Sequence, residues 1–511
     1  MKPVKGIIAA GHYETVKAGC EILREGGNAF DAVVASMLAA CVAEPILASP
    51  GGGGFLTAKP AQSEPLVYDF FAQTPKRRLE SGEVGFYPIE ADFGTASQTF
   101  HIGMGSIATP GFVKGLFTIH RNHCRMPLRT LFQPAIELAS DGIEINPFQH
   151  LISTIIAPIL RATPEAFEIN ASPQNPESLI NQGEHHRQPA LSAFLDALEH
   201  EGEMLFYQGE VAKQLVDDCR DSGGHLQMGD LLDYRVEVRS PLPYRYRNAQ
   251  LFTNPLPSLG GTLIAFSLGL LAAQGIDRHL GREDHLRRLA HAMRLTQRVR
   301  NEHHLTMDRI LTEEVAEQFR ARLDKGGIST RGTTQISIAD TDGNLASMTL
   351  SNGEGCGYVI PDTGIMMNNM LGEEDLNPRG FHQWPPDHRL ASMMAPTLIL
   401  TDDGDSIVLG SGGSNRIRSA ILQVIVNQLD YAMPLEQAVS YPRIHFENEL
   451  LSLEPGIDES IAQALKNEFP NQQHWQDKNL FFGGTHCVML DKNGNPSGIG
   501  DERRGGASQS V

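Results

Sequence analysis

Gly332-Thr333-Thr334-Gln335 stand at the head of a run in which apolar and polar residues alternate. A threonine hydroxyl is a poor nucleophile unless a base sits beside it. One solution is to cut the chain before the threonine, so that its own freed α-amine becomes the general base. A glycine on the carbonyl side tolerates the strained backbone such self-cleavage uses. The local alternative is that a Thr-Thr pair entering a strand is simply a good β-former. A second candidate is Gly410-Ser411-Gly412-Gly413-Ser414-Asn415, immediately before a helical pattern that begins near Arg416. Free N–H donors at a helix start can hold a developing oxyanion, while a plain loop with Ser414 or Asn415 as N-cap fits the same residues. The third is Gly51-Gly52-Gly53-Gly54, which could cradle an anion. No Lys-Ser or Lys-Thr follows and no helix opens after it, so the reading is a tight turn that lets two backbones approach closely. His185-His186 and His303-His304 suggest metal at first sight. Adjacent histidines point in different directions, however, and Asp308 is the only carboxylate at a helical spacing from His304, so no metal site is expected.

The elements that must position these groups follow from spacing. Val16, Cys20, Ile22 and Leu23 lie mostly on one face of a helix over His12 to Arg24, which Gly26-Gly27 stops. Asn28 to Ala43 is a second helix, rich in Ala and Val and buried nearly all round, with Pro45 after it. Leu191, Phe194, Leu195 and Leu198 mark another, and Ile417, Ala420, Ile421, Val424, Ile425 and Leu429 a fourth. Asp342-Gly343-Asn344, Asp403-Gly404 and Asn493-Gly494 each sit between short apolar runs. They predict hairpins, because glycine accepts the positive φ such turns require. The stretch from Glu168 to Pro189 reads as a solvated loop, and Arg287, Arg288, Arg294, Arg298 and Arg300 as the solvated face of a helix. Helices early and hairpins late predict a layered α+β fold.

Composition narrows the partners. Lys plus Arg number 42 against 61 Asp plus Glu, a net charge of −19. That sign repels phosphate backbones and anionic lipid, so neither nucleic acid nor membrane is expected, and a small-molecule substrate is. The six cysteines, at 20, 41, 124, 219, 356 and 487, form no Cys-x-x-Cys pair and read as free thiols of a reducing compartment. The apolar run after the basic start is only Ile7-Ile8-Ala9-Ala10, too short for an export signal. No stretch reaches a membrane-spanning length. The expectation is a cytoplasmic protein with no cofactor.

Taken together and in order, these pieces resemble the gamma-glutamyltranspeptidase family of N-terminal-nucleophile hydrolases. The matching residues are Gly26-Gly27-Asn28-Ala29 with Asp31-Ala32, then Gly51 to Phe55, Thr109-Pro110-Gly111 and Pro255 to Gly261. In the later half they are Thr333-Thr334 with Asp340, Asp342-Gly343-Asn344, Gly364-Ile365 with Asn368-Asn369, Met394, Pro396-Thr397 and Gly410 to Ile417. The resemblance is collinear over nearly the whole length. It implies an αββα sandwich of two stacked antiparallel sheets covered by helices. A precursor would cut itself between Gly332 and Thr333 into a large subunit, 1–332, and a small one, 333–511, within one integrated fold. Thr333 would attack an amide carbonyl, with its α-amine as base, and the acyl-enzyme would pass its acyl group to water or to an amino acid. By the same resemblance Gly413 and Ser414 supply the oxyanion N–H groups and Ser351 is the hydroxyl that hydrogen-bonds the nucleophile. Asn352, an acidic group in Glu373 to Asp375, and Ser392 fall where the family grips the glutamyl head. A homodimer of the processed unit is open, and family members are often exported.

The sequence also departs from the family. Phe71 stands where members that handle glutathione carry an Arg for the substrate α-carboxylate. A lost charge-assisted hydrogen bond weakens binding of a γ-glutamyl head by about one to two orders of magnitude, unless Arg77, Arg78 or Arg389 substitutes. The usual Ser-Ser pair is Ala391-Ser392, the second oxyanion Gly is Ser414, and the His after the Thr pair is Gln335. A Phe in that pocket favours a neutral or apolar acyl group. The alternative to an enzyme is a catalytically weak or inactive relative that keeps the fold and binds a small metabolite or a protein partner.

Overall fold

The computed structural model describes residues 4–80, 82–92, 97–273, 282–303, 311, 332–377 and 380–511. Its centre is two antiparallel sheets laid face to face. The first runs, edge to edge, Ala507–Ser510, Gly6–Ala10, Thr334–Asp340, Leu345–Ser351, Gly53–Lys59, Leu66–Phe70 and Glu237–Arg239. The second runs Pro496–Ile499, Gly484–Leu490, Ser406–Gly412, Thr397–Thr401, Ala249–Thr253 and Leu242–Tyr246.

Period-2 alternation assigns each strand residue to one of two cores. From Gly6–Ala10, Ile8 and Ala10 join the helix layer outside the first sheet, while Ile7 and Ala9 face the second sheet. Ile336, Ile338, Met348 and Leu350 point to the same helices, Tyr13–Arg24 and Ala29–Ala43 among them. Between the sheets the packing is small and partly polar. Ala339 and Leu345 meet Val408 and Val488 there. Ser347 Oγ donates to the Leu409 carbonyl (2.8 Å), and Ser337 Oγ donates to that of His486 (2.9 Å). The outer face of the second sheet is covered by Leu259–Ala272 and Arg416–Leu429, with Arg282–His303 packed against the first of these. Helix, sheet, sheet, helix is the expected αββα sandwich.

The hairpins fall where the Asp-Gly and Asn-Gly pairs put them, with Gly343, Gly404 and Gly494 at φ +90°, +98° and +80°. Asp340 fastens the first of them. Its carboxylate accepts from the Asn344 amide and from Ala29 N–H (2.8 Å), tying the turn to the start of the Ala29–Ala43 helix. That helix is capped reciprocally by Asn28 and Asp31, and all of its residues are buried. The Gly51–Gly54 run is a close approach. A Cβ on Gly52 or Gly54 would lie 2.4 Å from the carbonyl oxygen of Ser351 or Thr349.

Two expectations need correction. The segment from Glu168 to Pro189 is not simply solvated: Asn170, Ser172, Ile180, Glu184 and His186 are buried, and His185–His186 pairs with Ile143–Glu144. Polar composition concealed this, because Ser172 and Asn181 both hydrogen-bond the Glu184 carboxylate and so bury one another's polarity. The arginine run is likewise not one wet face. Arg287 is ion-paired near the surface, but Arg298 is buried and Arg300 turns inward to Asp375.

Candidate active site

Thr334 pairs with Leu350 across the central hairpin, which sets Thr333 beside Ser351 at the mouth of the two strands. The bond expected to be cut is held from several sides. Ser351 Oγ donates to the Gly332 carbonyl (2.8 Å), and Gly332 N–H donates to Glu354 Oε1 (3.1 Å). Arg504 Nη1 donates to the Thr333 carbonyl (3.3 Å), against which Gly412 packs so closely that a Cβ there would lie 2.0 Å from the oxygen. Thr334 Oγ1 donates to Glu44 Oε2 (2.6 Å), and Thr15 Oγ1 donates to Oε1 of the same carboxylate (2.9 Å). Burial pushes Glu44 up to about 7 against the pull of those hydroxyls and of Arg504. Burial likewise draws Arg504 down to about 10.

A cavity of about 30 Å³ opens on Thr333. It is enough for a water molecule and too small for an acyl substrate. Its hydroxyls are those of Thr333, Ser351, Ser392 and Ser414; its carboxylates are Glu373 and Asp375; Phe71, Met370, Leu376, Met393, Met394 and Ile417 make the apolar wall. Of the residues named from sequence, Thr333, Ser351, Glu373, Ser392 and Ser414 therefore share one cavity, with Gly413 adjoining Ser414. Asn352 does not line it. Its amide donates to the Met366 carbonyl (3.2 Å).

Gly413 and Ser414 have φ of +119° and +53°. Among the described residues neither N–H has an acceptor, which leaves both available to an anion. Asn415 stands at the N-cap position of the Arg416–Leu429 helix, as one reading of the segment had it, but neither it nor Ser414 caps with its side chain. Ser414 Oγ donates instead to Asp375 Oδ2 (3.0 Å), and Asn415 Nδ2 donates to Glu447 Oε1 (2.7 Å).

Phe71 occupies the wall and stacks on Phe55. No arginine lines the cavity among the described residues. Arg389 is spent on the Phe71 carbonyl (2.7 Å), the Asp69 carboxylate and the Tyr234 hydroxyl, and Arg78 reaches the Trp384 carbonyl. A larger cavity, about 560 Å³, lies beyond Ile46, whose carbonyl oxygen is 3.5 Å from where a Cβ on Gly332 would sit. It touches none of the groups that surround Thr333.

His186 shares a hydrogen bond with the Ile169 carbonyl while His185 is exposed, and the side chain of His303, with His304 and Asp308, lies outside the described residues. Among the described residues no group of His, Cys, Asp and Glu could hold a metal ion, and no helix is long and apolar enough to cross a membrane. The six cysteines are free, five of them buried. Sequence reading missed Glu44, Glu354, Arg300 and Arg504, which reach the site from four separate segments and carry no local signature.

The family described as Gamma-glutamyltranspeptidase matches residues 15–511. The chain is 30% identical over 489 residues to the Acylase ACY 1 proenzyme of Pseudomonas sp. (strain SE83), covering 90% of this chain and 86% of that protein. It is 26% identical over 537 residues to the Glutathione hydrolase proenzyme of Escherichia coli (strain K12), covering 98% and 90%. Among solved structures, the cephalosporin acylase from Bacillus halodurans superposes with a TM-score of 0.86 at 23% identity, covering 99% of this chain and 96% of that one.

Proposed function

The chain belongs to the gamma-glutamyltranspeptidase family of enzymes, and from that premise we propose that it is a self-processing N-terminal-threonine amidase or acyltransferase. The observation that carries this reading is the hydrogen bond from Ser351 Oγ to the Gly332 carbonyl, at the mouth of a cavity that also holds Ser414. A hydroxyl aimed at that carbonyl polarises the bond that must break.

In the precursor, Thr333 Oγ adds to the Gly332 carbonyl carbon. The C–N bond then breaks, the nitrogen keeps the proton given up by the hydroxyl, and an ester joins Gly332 to Thr333 Oγ. Water hydrolyses the ester, leaving subunits 1–332 and 333–511. The freed α-amine, whose ordinary pKa is about 7.7–8.0, then serves as base to the same hydroxyl. A substrate amide is attacked in turn and its oxyanion takes the Gly413 and Ser414 N–H groups; the C–N bond breaks, the amine leaves with the proton taken from the hydroxyl, and the acyl ester on Thr333 Oγ then passes its acyl group to water or to an amino acid. Losing one such donor typically costs about 2.7–4 kcal/mol of barrier.

The acyl group is read as a γ-glutamyl relative without a strong requirement for the α-carboxylate. Phe71 fills the wall where a cation would bind that carboxylate, and Arg389 is held on backbone outside it. Glu373, Asn352 and Ser392 are proposed to shape the acyl subsite, Asn352 by holding the Met366 segment. The relatives named acylase and glutathione hydrolase bracket this choice.

Intact mass and N-terminal sequencing test the first step. The expected result is two fragments, the smaller beginning Thr-Thr-Gln, and a single uncut chain for Thr333→Ala. Release of p-nitroaniline from γ-glutamyl, glutaryl and simple acyl anilides tests the second. A wild-type chain that stays at 55.9 kDa and turns over none of them refutes the proposal and favours a non-catalytic relative.

A further inference from the structure

Ser414 adopts φ +53°, a region that L-residues enter at a cost and that glycine enters freely. Something must hold a serine there, and its own side chain shows what. Ser414 Oγ donates to Asp375 Oδ2 (3.0 Å), and Asp375 Oδ1 accepts from Arg300 Nη2 (3.3 Å). The other arm of Arg300 lies 3.9 Å from Glu447 Oε1, and that oxygen accepts from Asn415 Nδ2 (2.7 Å). The chain of contacts is closed: Ser414, Asp375, Arg300, Glu447, Asn415, and back through one peptide bond to Ser414. Ser414, Asn415 and Glu447 are buried, so water competes weakly for these bonds.

We propose that Asp375, braced by Arg300 and Glu447, is a positioning residue that fixes the Gly413–Asn415 turn so that the Gly413 and Ser414 N–H groups face the reacting carbonyl. This rests on the oxyanion role given to those groups above. It assigns Asp375 a task other than gripping a substrate ammonium: one of its oxygens accepts from Ser414 and the other from Arg300. The ring uses side chain where a glycine would need none. That explains how a serine is tolerated at this position.

The test is a double-mutant cycle between Asp375→Ala and Ser414→Gly, read as kcat and KM on the anilide the wild type cleaves best. With serine at 414, Asp375→Ala lowers kcat about tenfold, because the N–H donors are misaimed rather than lost, with KM within about twofold. In the Ser414→Gly background, where no side chain needs anchoring, the same change lowers kcat less than about twofold. Arg300→Lys recovers more of kcat than Arg300→Met. An equal loss from Asp375→Ala in both backgrounds, or a loss confined to KM, overturns the proposal by making Asp375 a substrate ligand. If Asp375→Ala does not fold, Asp375→Asn takes its place in the cycle. A wild type with no cut and no turnover refutes the enzyme reading instead. The Ser414–Asp375 coupling is then read from urea unfolding midpoints of the same four chains, and additive midpoints overturn the ring itself.

Discussion

Replacing Ser351 by alanine removes the hydroxyl that donates to the Gly332 carbonyl at 2.8 Å, and with it the acceptor of the Gly353 N–H at 3.1 Å. The residue is only 6% exposed, so bulk water does not step in. In the resting precursor the bond joins two neutral groups and is worth about 0.5–1.5 kcal/mol net. As Thr333 Oγ adds, the carbonyl oxygen becomes an anion, and a hydrogen bond to a charged partner is worth about 1.5–3 kcal/mol. The difference, about 1–1.5 kcal/mol, is the least that the barrier should rise, or about tenfold in rate. Donors in a dry site aimed at a developing oxyanion reach about 10²–10³, which sets the upper end. Ser351→Ala precursor should therefore mature between about ten and about a thousand times more slowly, while Ser351→Thr, which keeps the hydroxyl, stays near wild type. The assay is a time course of freshly folded precursor by gel and intact mass, with circular dichroism to show that the fold is intact. A folded Ser351→Ala chain that matures at the wild-type rate would sink the argument, because carbonyl polarisation would then have no part in the cut.

Phe71→Arg should raise kcat/KM for a γ-glutamyl anilide relative to its glutaryl analogue by about ten- to a hundredfold, since it restores a cation for the α-carboxylate. An unchanged ratio places the carboxylate elsewhere. Gly412→Ala puts a Cβ onto the Thr333 carbonyl oxygen, and should block maturation or folding outright, seen as uncut or insoluble chain. Glu44 titrates near 7 in the fold against 4.5 ordinarily. A raised carboxyl pKa means that the folded chain holds the extra proton, so the contribution of Glu44 to stability is fully present below about 4.5 and is lost as pH rises through about 7, by up to about 3 kcal/mol. Glu44→Gln should remove that decline. Urea midpoints of the two chains at pH about 5 and about 8 read it, and parallel curves would refute it.

The parts of the fold that showed in the sequence are those encoded by near neighbours. Gly343, Gly404 and Gly494 supplied turns whose positive φ few other residues accept, and Asn28 with Asp31 capped a helix within four residues. Gly6–Ala10 did not show as a strand. Both of its faces are covered, by helices and by the second sheet, so Ile7-Ile8-Ala9-Ala10 has no polar alternation to betray it. The site divides the same way. Thr333 by itself is an ordinary β-former, and only the ordered set of motifs raised it above that. Glu44 reaches Thr334 from 290 positions away along the chain and Arg504 reaches Thr333 from 171, and their burial is decided by packing alone. Ser414 was recognised as a departure from glycine, but the partner that makes it tolerable, Asp375 with Arg300, needed three dimensions.

Gly6–Ala10 pairs with Thr334–Asp340 on one side and with Ala507–Ser510 on the other. A strand from ahead of the proposed cleavage point is thus sewn between two strands from behind it. Scission of one peptide bond would leave the two polypeptides interlaced, unable to drift apart without melting the sheet. Before the cut, recovery from denaturation is an intramolecular event, indifferent to concentration. After it, two separate molecules must find each other, so renaturation turns second order and fails on dilution. Maturation would then act as a ratchet, converting a chain that can refold into an assembly that, once lost, does not readily return.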